Sequence, residues 1–293
     1  MRVTNRMLVQ TVLDNLQQNN EALDRVQQQL SSGKRVTRPA DDPVAAALAV
    51  RLRQERAAGA QFNRNVDQAQ NWLAATDQAL SDVGTALARV RELAVQASND
   101  TYSAQDRASA AQEVAQLRDH VMAALNSRAG GDQYLFGGTK TTTLPFTTDA
   151  SGNAVYNGDT AVVTREIGAG TSLPLSIPGS TFADVFTHLQ NLAANLSSGA
   201  GGAAIAASLD DLDADTDRLL TTRAEVGAKL NRLDFTQQRM ADQDIETARL
   251  QSQNEDLDFA EALTRFTTQQ AIYRASLEVA GRSLPMSLID FLR

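Results

Sequence analysis

The sequence predicts a mainly α protein in which long coiled-coil helices from both chain ends pack together in a rod-like bundle, with a small β-containing domain inserted in the middle. Three observations lead to this fold class. Apolar residues recur at alternating spacings of three and four near both chain ends, the period of a coiled-coil seam. Prolines are missing from 44–144 and 179–284, which leaves room for long helices. Between 134 and 179, Gly, Thr, Ser and Pro separate short β-branched runs, as in strands and turns.

The first helix is predicted from a regular apolar seam that has one polar member, Asn19. Gly33 ends this helix, because glycine readily adopts the left-handed conformation of a C-terminal cap. We interpret the seam as a candidate assembly surface, and its apolar members are Val9, Val12, Leu16, Leu23, Val26 and Leu30.

A stiff elbow is predicted between the first and second helices. Pro39 restricts the backbone beside it, Asp41 or Asp42 can cap the next helix, and Pro43 suits a first helical turn. These four residues are therefore candidates for a functional elbow between two helical segments.

Two more helices follow the elbow. One begins near Pro43 and ends near 98–100, and the other starts around Ser103, which can cap it, and stops before Gly130. The predicted core positions of the longer helix repeat at spacings of three and four: Val66, Ala69, Leu73, Thr76, Leu80, Val83, Leu87, Val90, Ala94 and Ala97.

The middle of the chain is predicted to hold a β-hairpin. Two short runs, 154–156 and 160–164, flank Asn157-Gly158-Asp159, and Asn-Gly is a strong turn signal. A flexible return loop is expected at 197–202. Between hairpin and loop lies a short helix with one apolar face, formed by Val185, Leu189, Leu192 and Leu196.

Coiled-coil seams resume in the last third, with a break near 254–256. The seam before the break is predicted to contain Leu209, Leu212, Thr216, Leu219, Arg223, Val226, Leu230, Leu233, Gln237 and Met240. The seam after it contains Gln270 and Ala280 together with the candidate assembly residues Leu263, Phe266, Tyr273, Leu277 and Leu284.

These elements predict three domains. A terminal coiled-coil inner domain combines 1–43 with 255–293, a long helical bundle domain combines 44–138 with 205–254, and a small β-rich outer domain spans 139–204. Charge supports pairing of the ends, because 1–40 carries a net charge of +3 and 240–293 one of -4. Chance scatter of charge on helix surfaces is the alternative.

Composition excludes several kinds of site. The chain has no cysteine, which rules out disulfides, thiolate nucleophiles and cysteine-based metal centres. Its net charge of -8 argues against binding nucleic acid. We find neither a Sec signal peptide nor an apolar run of the ~20 residues that a membrane span needs.

No constellation for catalysis, cofactor binding or metal binding emerges. His120 and His188 lack a second histidine at ligand spacing, so we expect both on helix surfaces. The acids at 211, 213, 215 and 217 lack the glycine and glutamate of a calcium loop, and we expect them on a polar helix face. The sequence thus predicts a protein that is not an enzyme and has no cofactor.

Six segments resemble the bacterial flagellin superfamily, and within it the hook-filament junction proteins. The segment 30–46 resembles the N-terminal flagellin signature, and 91–100 resembles the second one. Tyr134-Leu135-Phe136-Gly137-Gly138 is similar to the entry into the variable middle. Segments 223–233 and 255–260 are similar to the returning helices, and 287–292 is similar to the C-terminal end of the family. A short middle and Asp41-Asp42-Pro43-Val44-Ala45-Ala46 favour the junction proteins over filament flagellins.

The resemblance implies a structural subunit exported unfolded, without a Sec signal, by the flagellar type III pathway to the extracellular flagellum. The implied partners are further copies in a ring-like junction layer, the other hook-filament junction protein (FlgK) on the hook side, flagellin on the filament side, and an export chaperone. No nucleic acid and no membrane insertion are implied. Two alternatives remain at this point: a filament-forming flagellin, and a coiled-coil binding module outside flagella.

Overall fold

The computed structural model describes residues 2–99, 102–199 and 201–283. Within them the chain forms six α-helices, one 3-10 turn and six short strands. The helices are α1 (Arg2–Ser32), α2 (Pro43–Ala97), α3 (Ala104–Leu125), α4 (Ala183–Ser197), α5 (Gly202–Glu255) and α6 (Phe259–Ser283), and the 3-10 turn is Gly179–Phe182. The strands are β1 (Arg128–Ala129), β2 (Gln133–Tyr134), β3 (Phe146–Thr148), β4 (Ala154–Tyr156), β5 (Thr164–Gly168) and β6 (Thr171–Pro174).

The chain divides into two compact units. The first takes its residues from Met1–Ala58 and Gln243–Arg293, and the second is Gly59–Asp242. Long helices from both halves of the chain pack together, and the strands lie in the middle of the sequence, so the predicted fold class is confirmed.

The second unit contains the main hydrophobic core. All ten predicted core positions of α2, from Val66 to Ala97, are buried, because each faces this core. The apolar face predicted for α4 is buried as well. Ser103 caps α3 as predicted, accepting a hydrogen bond from the Asp106 N–H.

The hairpin predicted around Asn157 is wrong. Strand β4 pairs with β3, and β5 pairs with β6, each pair antiparallel. The segment between β4 and β5 is held elsewhere: the Asp159 carboxylate accepts hydrogen bonds from the N–H and hydroxyl of Thr139. The Tyr156 hydroxyl also donates to the Asp159 carbonyl, 2.8 Å away. These contacts outside the segment replace the tight turn that Asn-Gly favours.

The buried residues of α5 agree only partly with the predicted seam. Leu212, Leu219, Val226, Leu233 and Met240 are buried, but the intervening buried positions lie one residue earlier than predicted. These positions are polar, and hydrogen bonding makes their burial possible; the Thr222 hydroxyl, for example, donates to the Arg218 carbonyl at 2.8 Å. The predicted but more exposed positions are Leu209, Thr216, Arg223, Leu230 and Gln237, and the buried ones are Ser208, Asp215, Thr222 and Thr236.

A buried carboxylate links α4 to α5 in the second unit. The Asp215 side chain is fully buried, and its Oδ2 lies 2.7 Å from Nδ1 of His188. Arg218 forms an ion pair with the same carboxylate, its Nη1 lying 3.3 Å from Oδ1. Burial raises the pKa of the Asp215 carboxyl, although His188 and Arg218 oppose the shift. The expectation that Asp215 lies on a polar face, and that His188 is a surface residue, is therefore corrected.

Candidate assembly surface

The elbow between α1 and α2 belongs to the first unit and is held by two aspartates. Gly33 ends α1 with a positive φ of 68°. Asp41 accepts hydrogen bonds from the Arg38 N–H at 2.9 Å and the Thr37 hydroxyl at 3.1 Å. Both bonds favour the ionised carboxylate and outweigh desolvation, so the pKa of Asp41 lies below its ordinary value.

Asp42 caps the long helix that begins at Pro43. Its Oδ1 accepts a hydrogen bond from the Ala45 N–H at 3.0 Å, which satisfies one of the free donors of the first turn. This bond holds the pKa of the Asp42 carboxyl below its ordinary value. Pro39 lies on the exposed side of the elbow. Asp41 thus orders the elbow itself, while Asp42 caps α2 and also pairs with Arg35 of the elbow at 3.4 Å.

Glu255 clamps the elbow to the break between α5 and α6. Its side chain is 2% exposed, and Oε2 lies 2.6 Å from Nζ of Lys34 and 2.7 Å from a guanidinium nitrogen of Arg53. Burial alone would raise the pKa of Glu255, but the hydrogen bonds and charges of Lys34 and Arg53 outweigh burial and lower it.

The two helix breaks also share backbone hydrogen bonds. The Arg35 N–H donates to the Glu255 carbonyl at 2.7 Å, and the Leu257 N–H donates to the Gly33 carbonyl at 3.1 Å. Asn254 adds a bond from its side-chain amide to the Ala45 carbonyl at 2.8 Å. The break at 33–43 and the break at 254–258 therefore form one joint.

Helices α1 and α6 contact each other along a polar and sparsely buried seam. At its centre the Asn19 amide donates to the Ser276 hydroxyl at 3.0 Å, and Gln269 donates to the Asn19 carbonyl at 3.4 Å. Among the residues of α6 whose burial is described, 259–281, the buried ones are two alanines, Ala262 and Ala280. This contact buries little large apolar surface.

The candidate assembly residues differ in their solvent exposure. Leu263 and Leu277 are 57% and 45% exposed, so the chain itself leaves much of both side chains open to solvent. Leu284 lies outside the described residues. The half-buried members are Val9, Val12, Leu16, Leu23, Val26, Leu30, Phe266 and Tyr273.

Exposed large apolar side chains concentrate in the first unit. Among the described residues of this unit they are Met7, Leu13, Val44, Leu48, Val50, Ile245, Leu250, Phe259, Leu263, Ile272, Leu277 and Val279. Exposed apolar side chains that form a contiguous patch typically mark a protein interaction site, which makes this group a candidate. Covering these side chains would remove apolar surface from water, which is energetically favourable.

The described residues offer little for other chemistry. They contain no cluster of three metal-ligating side chains, and none of their helices is long and apolar enough to cross a bilayer. The Glu255 clamp was missed by the sequence reasoning, although Lys34 and Glu255 both lie in segments that it singled out. Opposite charges at two predicted helix breaks were the available signal.

Comparison with known proteins gives matches along most of the chain. The N-terminal helical region of bacterial flagellin matches residues 3–141, and the C-terminal helical region of bacterial flagellin matches residues 209–292. Flagellar hook-associated protein 3 of Escherichia coli is 29% identical over 97% of this chain and 98% of its own length. A flagellin of Listeria monocytogenes is 27% identical over 97% of this chain and 96% of its own length.

A similar fold has been solved. The crystal structure of FlgL from Xanthomonas campestris aligns with a TM-score of 0.63 and 20% identity, and covers 68% of this chain and 99% of that one. At this identity the similarity concerns the fold.

Proposed function

This chain belongs to the bacterial flagellin family, and we infer that it is a structural subunit of the flagellum that forms the junction between hook and filament. The observation that carries this function is the similarity to flagellar hook-associated protein 3 over nearly the whole length of both chains. In this role the subunit provides the platform on which flagellin assembles.

The exposed apolar surface of the first unit supports an assembly role. Large side chains such as Phe259 and Val44, which are 57% and 80% exposed, lose contact with water when neighbouring subunits cover them. We propose that copies of the chain assemble in a ring-like layer through this surface. The other junction protein (FlgK) then lies on the hook side and flagellin on the filament side.

We further propose that the protein functions in the extracellular flagellum after export in an unfolded form. The weak seam between α1 and α6 supports this, because segments that bury little apolar surface unfold at a small cost. An export chaperone would cover the apolar terminal segments before assembly.

Deletion of the gene in the parent cell tests the junction function. We expect intact hooks, no filaments, and flagellin monomer released into the medium. Re-expression of the wild-type chain should restore filaments. Normal filaments on the deletion strain would contradict the proposal.

Complementation can also test the assembly residues. Leu263→Asp with Leu277→Asp changes two exposed side chains, so the variant should fold but fail to restore filaments. Val162→Asp is the matched control, because Val162 is also exposed (39%) but belongs to the second unit. Restoration of filaments by the double variant would remove these residues from the assembly surface.

A filament-forming flagellin is the second candidate, favoured by the similarity to the Listeria flagellin. The two functions differ in self-polymerisation. Purified flagellin grows long filaments from filament seeds, whereas a junction subunit should stop after a short layer. Electron microscopy of seeded reactions distinguishes them.

A further inference from the structure

The exposed side of α5 in the second unit borders a pocket that is lined by two arginines, Arg232 and Arg239. The pocket has a volume of about 570 Å³. Its lining includes Arg232, Phe235 and Arg239 of α5, Ile167 of β5 and Thr171 of β6. Phe235 is 71% exposed, so its side chain is available to a binding partner.

Neither arginine has an acidic partner within the described part of the chain. On the same helix, by contrast, Arg218, Arg223 and Arg249 each form an ion pair. A guanidinium group binds carboxylates through paired hydrogen bonds, and an exposed aromatic ring favours an apolar neighbour. The pocket therefore suits a segment with two carboxylates and a small apolar residue between them.

The N-terminal part of α5 contains such a segment. Asp210, Ala214 and Asp217 are exposed, and within the described residues neither carboxylate forms an ion pair. Asp210 and Asp217 are seven residues apart, as are Arg232 and Arg239. Each pair therefore spans about 10.5 Å along nearly the same side of the helix. The acidic segment and the basic pocket thus match in sign and spacing.

We propose that the basic pocket of one copy receives the acidic segment of α5 from a second copy, with the two helices staggered by 22 residues. In this arrangement Asp210 and Asp217 of one copy lie against Arg232 and Arg239 of the other, and Ala214 lies near the Phe235 ring. The two patches are different surfaces of the same chain, so the contact is head-to-tail and continues from copy to copy. This contact rests on the assembly function proposed above and is one contact through which copies of the chain would assemble.

Introduced cysteines test the stagger, because the chain contains none of its own. Ala206→Cys with Ala228→Cys places thiols at two exposed positions 22 residues apart and leaves the four charges intact. Within one chain these positions are about 33 Å apart, far beyond the reach of a disulfide. Any disulfide in the purified full-length protein therefore joins two copies.

Mild oxidation at high protein concentration should give a ladder of linked species. The control, Gln112→Cys with Asp119→Cys, carries thiols seven residues apart on exposed positions of α3 and should remain monomeric. Monomers alone, or linked dimers without longer species, would overturn the head-to-tail contact.

Charge reversal provides an independent test in the same cysteine background. Arg232→Glu with Arg239→Glu should weaken association about tenfold, since two exposed ion pairs become repulsive. Asp210→Arg with Asp217→Arg should do the same, and a mixture of the two reversed proteins should recover the ladder. A ladder of unchanged extent in either reversed protein alone, at the same protein concentration as the unreversed protein, would refute the pairing. The deletion phenotype does not depend on these four residues, so the junction function can stand if this contact fails.

Discussion

Nζ of Lys34 lies 2.6 Å from Oε2 of Glu255, although 221 residues separate the two in sequence. Arg53 shares the same carboxylate oxygen. One nearly buried acid thus connects the end of α1, the first part of α2 and the end of α5. This joint fixes both helix breaks of the first unit, which also carries most of the exposed apolar surface.

Glu255→Gln should destabilise the first unit by about 1–2 kcal/mol. The substitution keeps the shape but removes two charge-assisted hydrogen bonds, and the half-exposed Lys34 and Arg53 can recover hydration, which limits the loss. Urea unfolding followed by circular dichroism measures it. Glu246→Gln is the control, because it removes only an exposed pair with Arg249 and should change stability by less than about 0.5 kcal/mol.

Fluorescence of the single tryptophan distinguishes unfolding of the second unit from unfolding of the first. Trp72 belongs to the second unit, so its fluorescence reports unfolding there. Glu255→Gln should therefore move the circular dichroism transition while the tryptophan transition stays in place. A shift in the tryptophan transition alone would contradict the assignment of the clamp to the first unit.

The clamp also predicts how stability depends on pH. The pKa of Glu255 is lowered in the folded chain, so the carboxylate stabilises the fold fully above its ordinary pKa of 4.5. This contribution is lost as pH falls below that value and through the lowered pKa. We expect a flat contribution from pH 7 to about 5 and a decline below. Free energies of unfolding measured against pH should show a smaller decline for Glu255→Gln than for wild type.

Asp42→Ala should weaken assembly more than it weakens the monomer. Loss of the bond to the Ala45 N–H costs a helix about 1 kcal/mol, whereas a misdirected elbow would displace every contact made by α1. Filament restoration in the deletion strain, compared with melting of the purified chain, measures both effects. Asp42→Asn is the control, since its side-chain oxygen can still cap the helix. An equal loss in melting and assembly would mean that the cap is merely structural.

The sequence predicted the helices well because their burial follows apolar spacing. In α2 every predicted core residue is apolar or a threonine that donates to its own helix, so the period alone located the buried face. In α5 polar residues such as Asp215 and Thr222 occupy core positions. The spacing of apolar residues does not reveal the hydrogen-bond partners that allow these side chains to be buried.

Contacts between distant segments were beyond local reasoning. Asp159 binds Thr139 and so prevents a hairpin that Asn-Gly would otherwise favour. Glu255 binds Lys34 and Arg53, which lie about 200 residues away in the sequence. At such a separation the sequence alone does not distinguish this pairing from many other pairs of acidic and basic residues. Such pairings depend on the three-dimensional packing of the helices.

Helices α1 and α6 should exchange their amide hydrogens rapidly in the purified monomer. Their shared seam is half-buried and polar at Asn19, while ordering each residue costs about 1–2 kcal/mol of backbone entropy. Order should therefore increase on assembly. Exchange followed by mass spectrometry tests this, with the buried part of α2 as the protected internal control. Strong protection of α1 and α6 in the monomer would instead show a stable intramolecular hairpin.

His188→Ala should destabilise the second unit, whereas His120→Ala should not. Nδ1 of His188 lies 2.7 Å from the fully buried Asp215, so its removal takes away one of the two side chains that hydrogen-bond to that carboxylate. The expected loss is about 1–3 kcal/mol, the usual cost of leaving a buried polar group short of a partner. His120 is exposed on α3 and makes a matched control within the same unit. Urea unfolding followed by Trp72 fluorescence measures both variants, and equal midpoints would show that Arg218 alone suffices to hold Asp215.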